Sequence, residues 1–230
     1  MKIQIAIDGP SGAGKSTVAK EIAKRLGIIY VDTGALYRAV GYYVRSRNTD
    51  PKDAAAVAAL LPQVCVELRY ENGTQTVLLN GEALGNRIRT PEISMYASAV
   101  SAIPAVRAFL LETQRRIARE QSVIMDGRDI GTVILPDADV KIFLFAGDEC
   151  RARRRHTELT EKGMQVTFEE VLADMKRRDE NDRTRAVAPA VAAADAIRMD
   201  NSEMTPAECA DEIIRLVAER TGFRPCGSLT

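Results

Sequence analysis

The chain has 230 residues, Lys+Arg and Asp+Glu both number 32, and the formal net charge is therefore zero. That length suits one α/β domain with room for a small insertion and a sizeable core. Even charge argues against nucleic-acid or membrane binding driven by bulk charge, and no apolar run approaches a membrane span. Trp is absent and aromatics are 5%, so there is no stacking platform for single strands. Cys65, Cys150, Cys209 and Cys226 lie far apart with no C-x-x-C pair, which reads as free thiols in a reducing cytoplasm and not as a zinc site or a disulfide framework.

Ile3-Gln4-Ile5-Ala6-Ile7-Asp8 alternates and reads as a strand, not as a cleavable signal. It runs into Gly9-Pro10-Ser11-Gly12-Ala13-Gly14-Lys15-Ser16-Thr17, which fits G-x-x-x-x-G-K-[ST]. Val18, Ala19, Ile22, Ala23 and Leu26 then recur at helical spacing, with Gly27 placed to end the helix. Strand, glycine loop and helix together make a phosphate cradle. Gly12 and Gly14 let backbone N–H groups approach an anion, and the helix start adds unpaired donors. Lys15 can reach the β- and γ-phosphates, and Ser16 can ligate Mg²⁺. Ile28 to Val31 reads as a second strand, after which Asp32-Thr33-Gly34 opens a helix to about Arg45. Ligands lie beyond the carboxyl ends of parallel strands, so Asp32, Thr33 and Arg38 are expected to face the same crevice as the loop.

Asp53 to Leu61 reads as a helix stopped by Pro62. The texture then changes: Val64 to Tyr70 alternates, Asn72-Gly73 signals a turn, Thr76 to Leu79 answers as a strand, and Asn80-Gly81 offers another turn. This predicts a small antiparallel insertion over about 63–90, on the rim of the crevice. Thr90-Pro91-Glu92 starts a helix, Ile103-Pro104 breaks it, and a long helix follows to about Gln121. Val123 to Asp126 is a third parallel strand with Gly127-Arg128-Asp129 at its end, and Val140 to Phe145 a fourth.

Asp148 to about Gly163 is helical and basic through Arg151, Arg153, Arg154 and Arg155. It reads as a mobile lid, about 148–166, that closes on a triphosphate and excludes water. The competing reading is a solvated face balanced by Glu158 and Glu161. Thr167 to Glu170 forms a capping box, Ala196 to Met199 is the last strand, and Thr205-Pro206-Ala207-Glu208 caps a final helix. The alternation predicts an α/β, P-loop NTPase fold: about five parallel strands between helices, in one domain whose core spans about 1–62 and 91–230.

Asp126, at a strand end, is a candidate magnesium partner; as a plain strand-end residue it would cap the turn at Gly127. Arg38, Arg107, Arg128, Arg178 and Arg185 fall at or near element ends, where forked guanidinium groups suit phosphate oxygens. Phosphoryl transfer needs in-line positioning and relief of oxygen charge more than covalent help. His156, the single histidine, lies in the basic run and reads as a surface residue, not a general base.

Four stretches occur in order: the glycine loop, Asp32-Thr33-Gly34-Ala35-Leu36-Tyr37-Arg38, Asp126-Gly127-Arg128-Asp129-Ile130-Gly131-Thr132-Val133, and Arg183-Thr184-Arg185-Ala186-Val187-Ala188-Pro189. Together they resemble the bacterial cytidylate kinases, P-loop nucleoside monophosphate kinases, over nearly the whole chain. The resemblance implies transfer of the ATP γ-phosphate to CMP or dCMP with Mg²⁺. It implies that Gly9 to Thr17 bind ATP and that Lys15, Arg128 and Arg185 serve the transfer. It also implies that Thr33, Arg38, Arg128, Arg178 and Arg185 hold the acceptor, mainly its phosphate, and that Asp182 with Arg185 contacts the sugar. Ser98, Arg107 and Asp129 would recognise cytosine, whose exocyclic amine suits the Asp129 carboxylate. Arg151, Arg154 and Arg155 would belong to the lid. Ser16 stands where some members have Gly, and Thr33 where Ser is frequent.

The expected partners are thus ATP and CMP or dCMP, with neither nucleic acid nor membrane, and the chain is read as a cytoplasmic monomer. Three rival readings are a P-loop kinase for another acceptor such as UMP, a nucleotide-binding switch, and RNA binding through the arginine helix, which predicts steep salt dependence.

Overall fold

The computed structural model describes residues 2–71 and 74–223. The Asn72-Gly73 turn, Cys226 and the tail from Arg224 lie outside the described residues. In chain order the elements are β1 (Gln4–Asp8), α1 (Lys15–Leu26), β2 (Ile29–Asp32), α2 (Thr33–Ser46), α3 (Ala54–Leu60), β3 (Val66–Glu71), β4 (Thr74–Leu79), β5 (Glu82–Ala83), α4 (Pro91–Val100) and α5 (Pro104–Glu120). Then follow β6 (Val123–Gly127), β7 (Val140–Phe145), α6 (Asp148–Glu161), α7 (Phe168–Thr184), β8 (Ile197–Asp200) and α8 (Pro206–Thr221). Two compact units result, Met1–Ile29 with Ser122–Thr230, and Tyr30–Gln121.

The chain has a five-stranded parallel sheet of order β2-β6-β1-β7-β8, of which β6, β1, β7 and β8 lie in the first unit. β1 is central, and Ile5, Ala6, Ile7 and Asp8 are all buried, as a strand covered on both faces requires. Its neighbours are in register, with Asp8 opposite Gly127 on β6 and opposite Phe143 on β7. That register places the glycine loop beside the Gly127-Arg128-Asp129 turn. Ile124, Met125, Ile142 and Leu144 fill the core around it.

α1 buries the apolar stripe read from the sequence, and Gly27 ends it in the left-handed region at φ 67°. α6 and α7 share a satellite core of Ala152, Leu159, Val171 and Met175. Both capping boxes form, at Thr167–Glu170 and at Thr205–Glu208.

The second unit joins α2, α3, α4 and α5 to an antiparallel sheet of order β3-β4-β5. The β3–β4 pairing sets Tyr70 opposite Gln75. Asn80 and Gly81 turn the chain with φ of 51° and 83°, the two positive values that a tight hairpin turn demands. β5, two residues long, is an addition to the sequence reading. Val77 and Leu79 of β4 share one core with Leu36 and Val40 of α2, Val100 of α4 and Leu110 of α5. The strands of the insertion therefore share a core with the helices of their own unit.

Candidate active site

In the first unit the glycine loop leaves β1 at Gly9. A Cβ there would stand 1.9 Å from the Leu144 carbonyl oxygen, so the close approach of β7 excludes every other residue. Gly14, at φ 82°, caps α1. Lys15 is buried and donates from Nζ to the Pro10 carbonyl at 2.7 Å. Burial, and next the Arg128 charge, push its ammonium down to about 7, against the pull of Asp126, Asp179 and Asp8.

Ser16 Oγ donates to Asp126 Oδ2 at 2.6 Å. This pairs the hydroxyl of the loop with the carboxylate at the end of the neighbouring strand. No cluster of three or more His, Cys, Asp or Glu suited to a metal occurs among the described residues. One hydroxyl and one carboxylate fit an ion that takes few protein ligands and completes its shell with phosphate and water, as Mg²⁺ does.

The loop is braced from outside. The Ser11 N–H donates to Asp179 Oδ1 at 2.8 Å, and Arg151 Nη1 donates to the Ser11 carbonyl at 2.6 Å. Arg151 also reaches Asp179 and Asp148, each at 2.5 Å, and its side chain is 5% exposed. Asn201 Nδ2 donates to the Ala13 carbonyl at 2.9 Å, and Arg154 in turn donates to Asn201. Two arginines expected on a lid are thus engaged in holding the loop, while Arg155 pairs with Glu158 in its own helix at 2.7 Å.

The turn after β6 carries the second cluster. Arg128 Nε donates to Asp182 Oδ2 at 2.9 Å, and Arg185 Nη2 donates to Asp129 Oδ1 at 3.1 Å. The Arg185 and Asp129 side chains are each 5% exposed. Burial opposes the charge on Arg128, yet Asp182 and Asp179 hold it above the ordinary value. Arg178 is pushed down by burial and then by Arg128, and its Nε is buried with no hydrogen-bond partner. Asp8 lies beneath this turn. Its Oδ1 accepts the Ile130 N–H and its Oδ2 the Gly131 N–H, both at 2.8 Å. Burial raises the Asp8 carboxyl to about 6.

In the second unit Thr33 is buried as the first residue of α2. Asp32 caps that helix through the Ala35 N–H at 2.9 Å, and its other oxygen takes Arg38 Nη2 at 2.8 Å. Arg38 Nε is buried without a partner. Gln75 of β4 grips the Asp32 backbone on both sides, accepting its N–H at 2.9 Å and donating to its carbonyl at 3.4 Å. Arg107 is buried, donates to the Ser101 carbonyl at 3.2 Å, and lies over the Tyr37 ring at 5.6 Å. The Ser98 carbonyl accepts the Ser101 hydroxyl at 2.8 Å.

So the first unit brings together Gly9 to Thr17, Asp126, Arg128, Asp129, Arg178, Asp182 and Arg185, and the second contains Thr33, Arg38, Ser98 and Arg107. Sequence reasoning missed Asp8, Gln75, Asp179 and Asn201 as parts of this machinery. Asp8 had one signal, a carboxylate at the end of an apolar strand directly before the loop. His156 sits with Nε2 3.1 Å from the Val166 carbonyl. Among the described residues no single helix is long and apolar enough to cross a membrane.

A family model described as cytidylate kinase matches residues 5–219. The cytidylate kinase of Fervidobacterium nodosum is 48% identical over 220 residues, covering 96% of this chain and 98% of that one. The cytidylate kinase of Thermosipho melanesiensis is 47% identical over 220 residues, covering 96% and 99%. Among solved structures, an uncharacterized protein from Eubacterium ventriosum superposes with a TM-score of 0.51 at 15% identity, covering 95% of this chain and 100% of that one; this likeness is one of fold alone. With its phosphate loop, its Asp-Gly-Arg-Asp turn and a family match that spans both units, the chain belongs to the cytidylate kinase family.

Proposed function

We propose that the protein transfers the γ-phosphate of ATP to CMP or dCMP, giving ADP and CDP or dCDP. One observation carries the acceptor side of this reading. Arg38 and Arg178, both expected to grasp the acceptor phosphate, each hold a buried guanidinium Nε with no partner. A buried donor left unpaired costs about 1–3 kcal/mol, and an anion removes that cost. Thr33, Arg38, Arg128, Arg178 and Arg185 are the residues we assign to the acceptor phosphate. Asp182 takes the sugar. Ser98, Arg107 and Asp129 read cytosine, the Asp129 carboxylate accepting the exocyclic amine. Uracil puts a carbonyl oxygen in that place and leaves two acceptors facing each other.

On the donor side Gly9 to Thr17 enclose the triphosphate, and Lys15 moves from the Pro10 carbonyl to phosphate oxygens. Ser16 and Asp126 would hold Mg²⁺, which would supply charge neutralisation when bound. Lys15, Arg128 and Arg185 relieve the charge that builds on the transferred group. Of the lid arginines only Arg155 can exchange its intrahelical ion pair for a phosphate without unpinning the loop, so we assign the closing role to it. The free thiols at Cys65, Cys150 and Cys209 support a cytoplasmic location.

A coupled assay over CMP, dCMP, UMP and AMP tests the reading. CMP and dCMP are expected to be the good acceptors, UMP worse by roughly tenfold or more in kcat/KM, and ATP hydrolysis without acceptor negligible. UMP turnover equal to CMP turnover would remove Asp129 from the base, and brisk ATP hydrolysis alone would favour a nucleotide switch.

A further inference from the structure

Asp129 occupies the position just before the wide helical turn Ile130–Ile134, yet its side chain makes no capping bond to that turn. An aspartate at such a position ordinarily bends back to accept the first free N–H groups. Here two of those N–H groups, at Ile130 and Gly131, already have an acceptor. Asp8, at the end of β1 and 3% exposed, takes Ile130 with one oxygen and Gly131 with the other. The cap is thus supplied from 122 residues away along the chain. With those two N–H groups satisfied, the Asp129 carboxylate extends to Arg185 at 3.1 Å.

We propose that Asp8 is a positioning residue for acceptor selection: by capping the turn itself, it keeps Asp129 off its own backbone and aimed at Arg185 and the acceptor base. Asp8 touches neither nucleotide. The effect passes through Asp129, so the inference rests on the reading of Asp129 as the contact to cytosine. Without Asp8 the turn has two unpaired N–H groups next to the strongest local acceptor, and Asp129 folds back to serve them. An asparagine at this position can accept one N–H only and turns its own NH₂ toward the other.

The test is the ratio of kcat/KM for CMP to that for UMP in the wild type, Asp8→Asn, Asp129→Asn and the double variant. Asp8→Asn is expected to lower the ratio about tenfold, as loss of an orienting hydrogen-bond pair does, and to lower it no further once Asp129 is Asn. A purely structural role would scale both acceptors alike and leave the ratio unmoved. If Asp129→Asn shifts the ratio and Asp8→Asn does not, this inference alone is overturned. If Asp129→Asn leaves the ratio in place, the base-contact reading of Asp129 is wrong and the inference falls with it. Amide hydrogen exchange on the unmutated protein gives a readout free of folding defects. The Ile130 and Gly131 amides are expected among the most protected; fast exchange at both would overturn the cap.

Discussion

Arg151 and Asp179 hold the Ser11 backbone from both sides, one at its carbonyl and one at its N–H, and meet each other at 2.5 Å. Arg151 is 5% exposed and Asp179 19%, so removing either leaves the other charge in poor solvent. Asp179→Ala is expected to destabilise the protein by about 3 kcal/mol, read as a lower urea midpoint at unchanged slope. Arg151→Lys should move the same way, because an ammonium has no fork to serve Asp148, Asp179 and the Ser11 and Ala146 carbonyls at once. An unmoved midpoint in both variants would show that the clamp is dispensable.

Lys15 titrates near 7 in the free protein, far below an ordinary lysine, because burial and then Arg128 disfavour its charge. A triphosphate favours that charge. Between the free and bound values the bound protein therefore carries the extra proton, and affinity falls as pH rises. With magnesium chelated, ATP binding at pH 8 is expected to take up about one proton, measured by calorimetry in buffers of different ionisation heat. Binding that releases protons, or is indifferent to pH from 7 to 9, would contradict the assignment.

The Ser16–Asp126 contact of 2.6 Å makes a prediction about magnesium. Ser16→Ala and Asp126→Asn are each expected to raise the Mg²⁺ concentration for half-maximal rate by roughly tenfold or more. The KM for CMP should stay within about twofold. Should Asp126→Asn keep the wild-type magnesium dependence, Asp126 is a strand-end cap and no more.

Gln75 gives the antiparallel insertion a task. Its amide binds both sides of the Asp32 backbone, and Asp32 orients Arg38. Gln75→Ala is expected to raise the KM for CMP about fivefold, the equivalent of one lost hydrogen bond of about 1 kcal/mol, while the KM for ATP stays put. An equal rise for both substrates would mean general loosening.

The elements that depend on local chemistry were legible in the sequence. The glycine loop, the two Thr–Glu capping boxes, the Pro104 break and Asp126 at its strand end all follow from residues within a few positions of each other. The burial of Arg151 was not legible. It shares a basic helix with Arg153, which is 73% exposed where Arg151 is 5%, and composition cannot tell which side of a charged helix meets a partner. Asp179 and Asn201 were missed for a related reason, since their partners Ser11 and Ala13 offer backbone atoms, which carry no side-chain signature. The antiparallel pattern of the insertion was visible, but the core it shares with α2, α4 and α5 depends on contacts between segments tens of residues apart.

The distance along the chain between Asp8 and its two acceptor-side amides has a consequence for biosynthesis. A nascent chain that has emerged only through α5 already contains the whole glycine loop, yet the carboxylate preceding that loop has nothing to receive. The cap on the turn after β6 therefore cannot form until Ile130 and Gly131 have been synthesised.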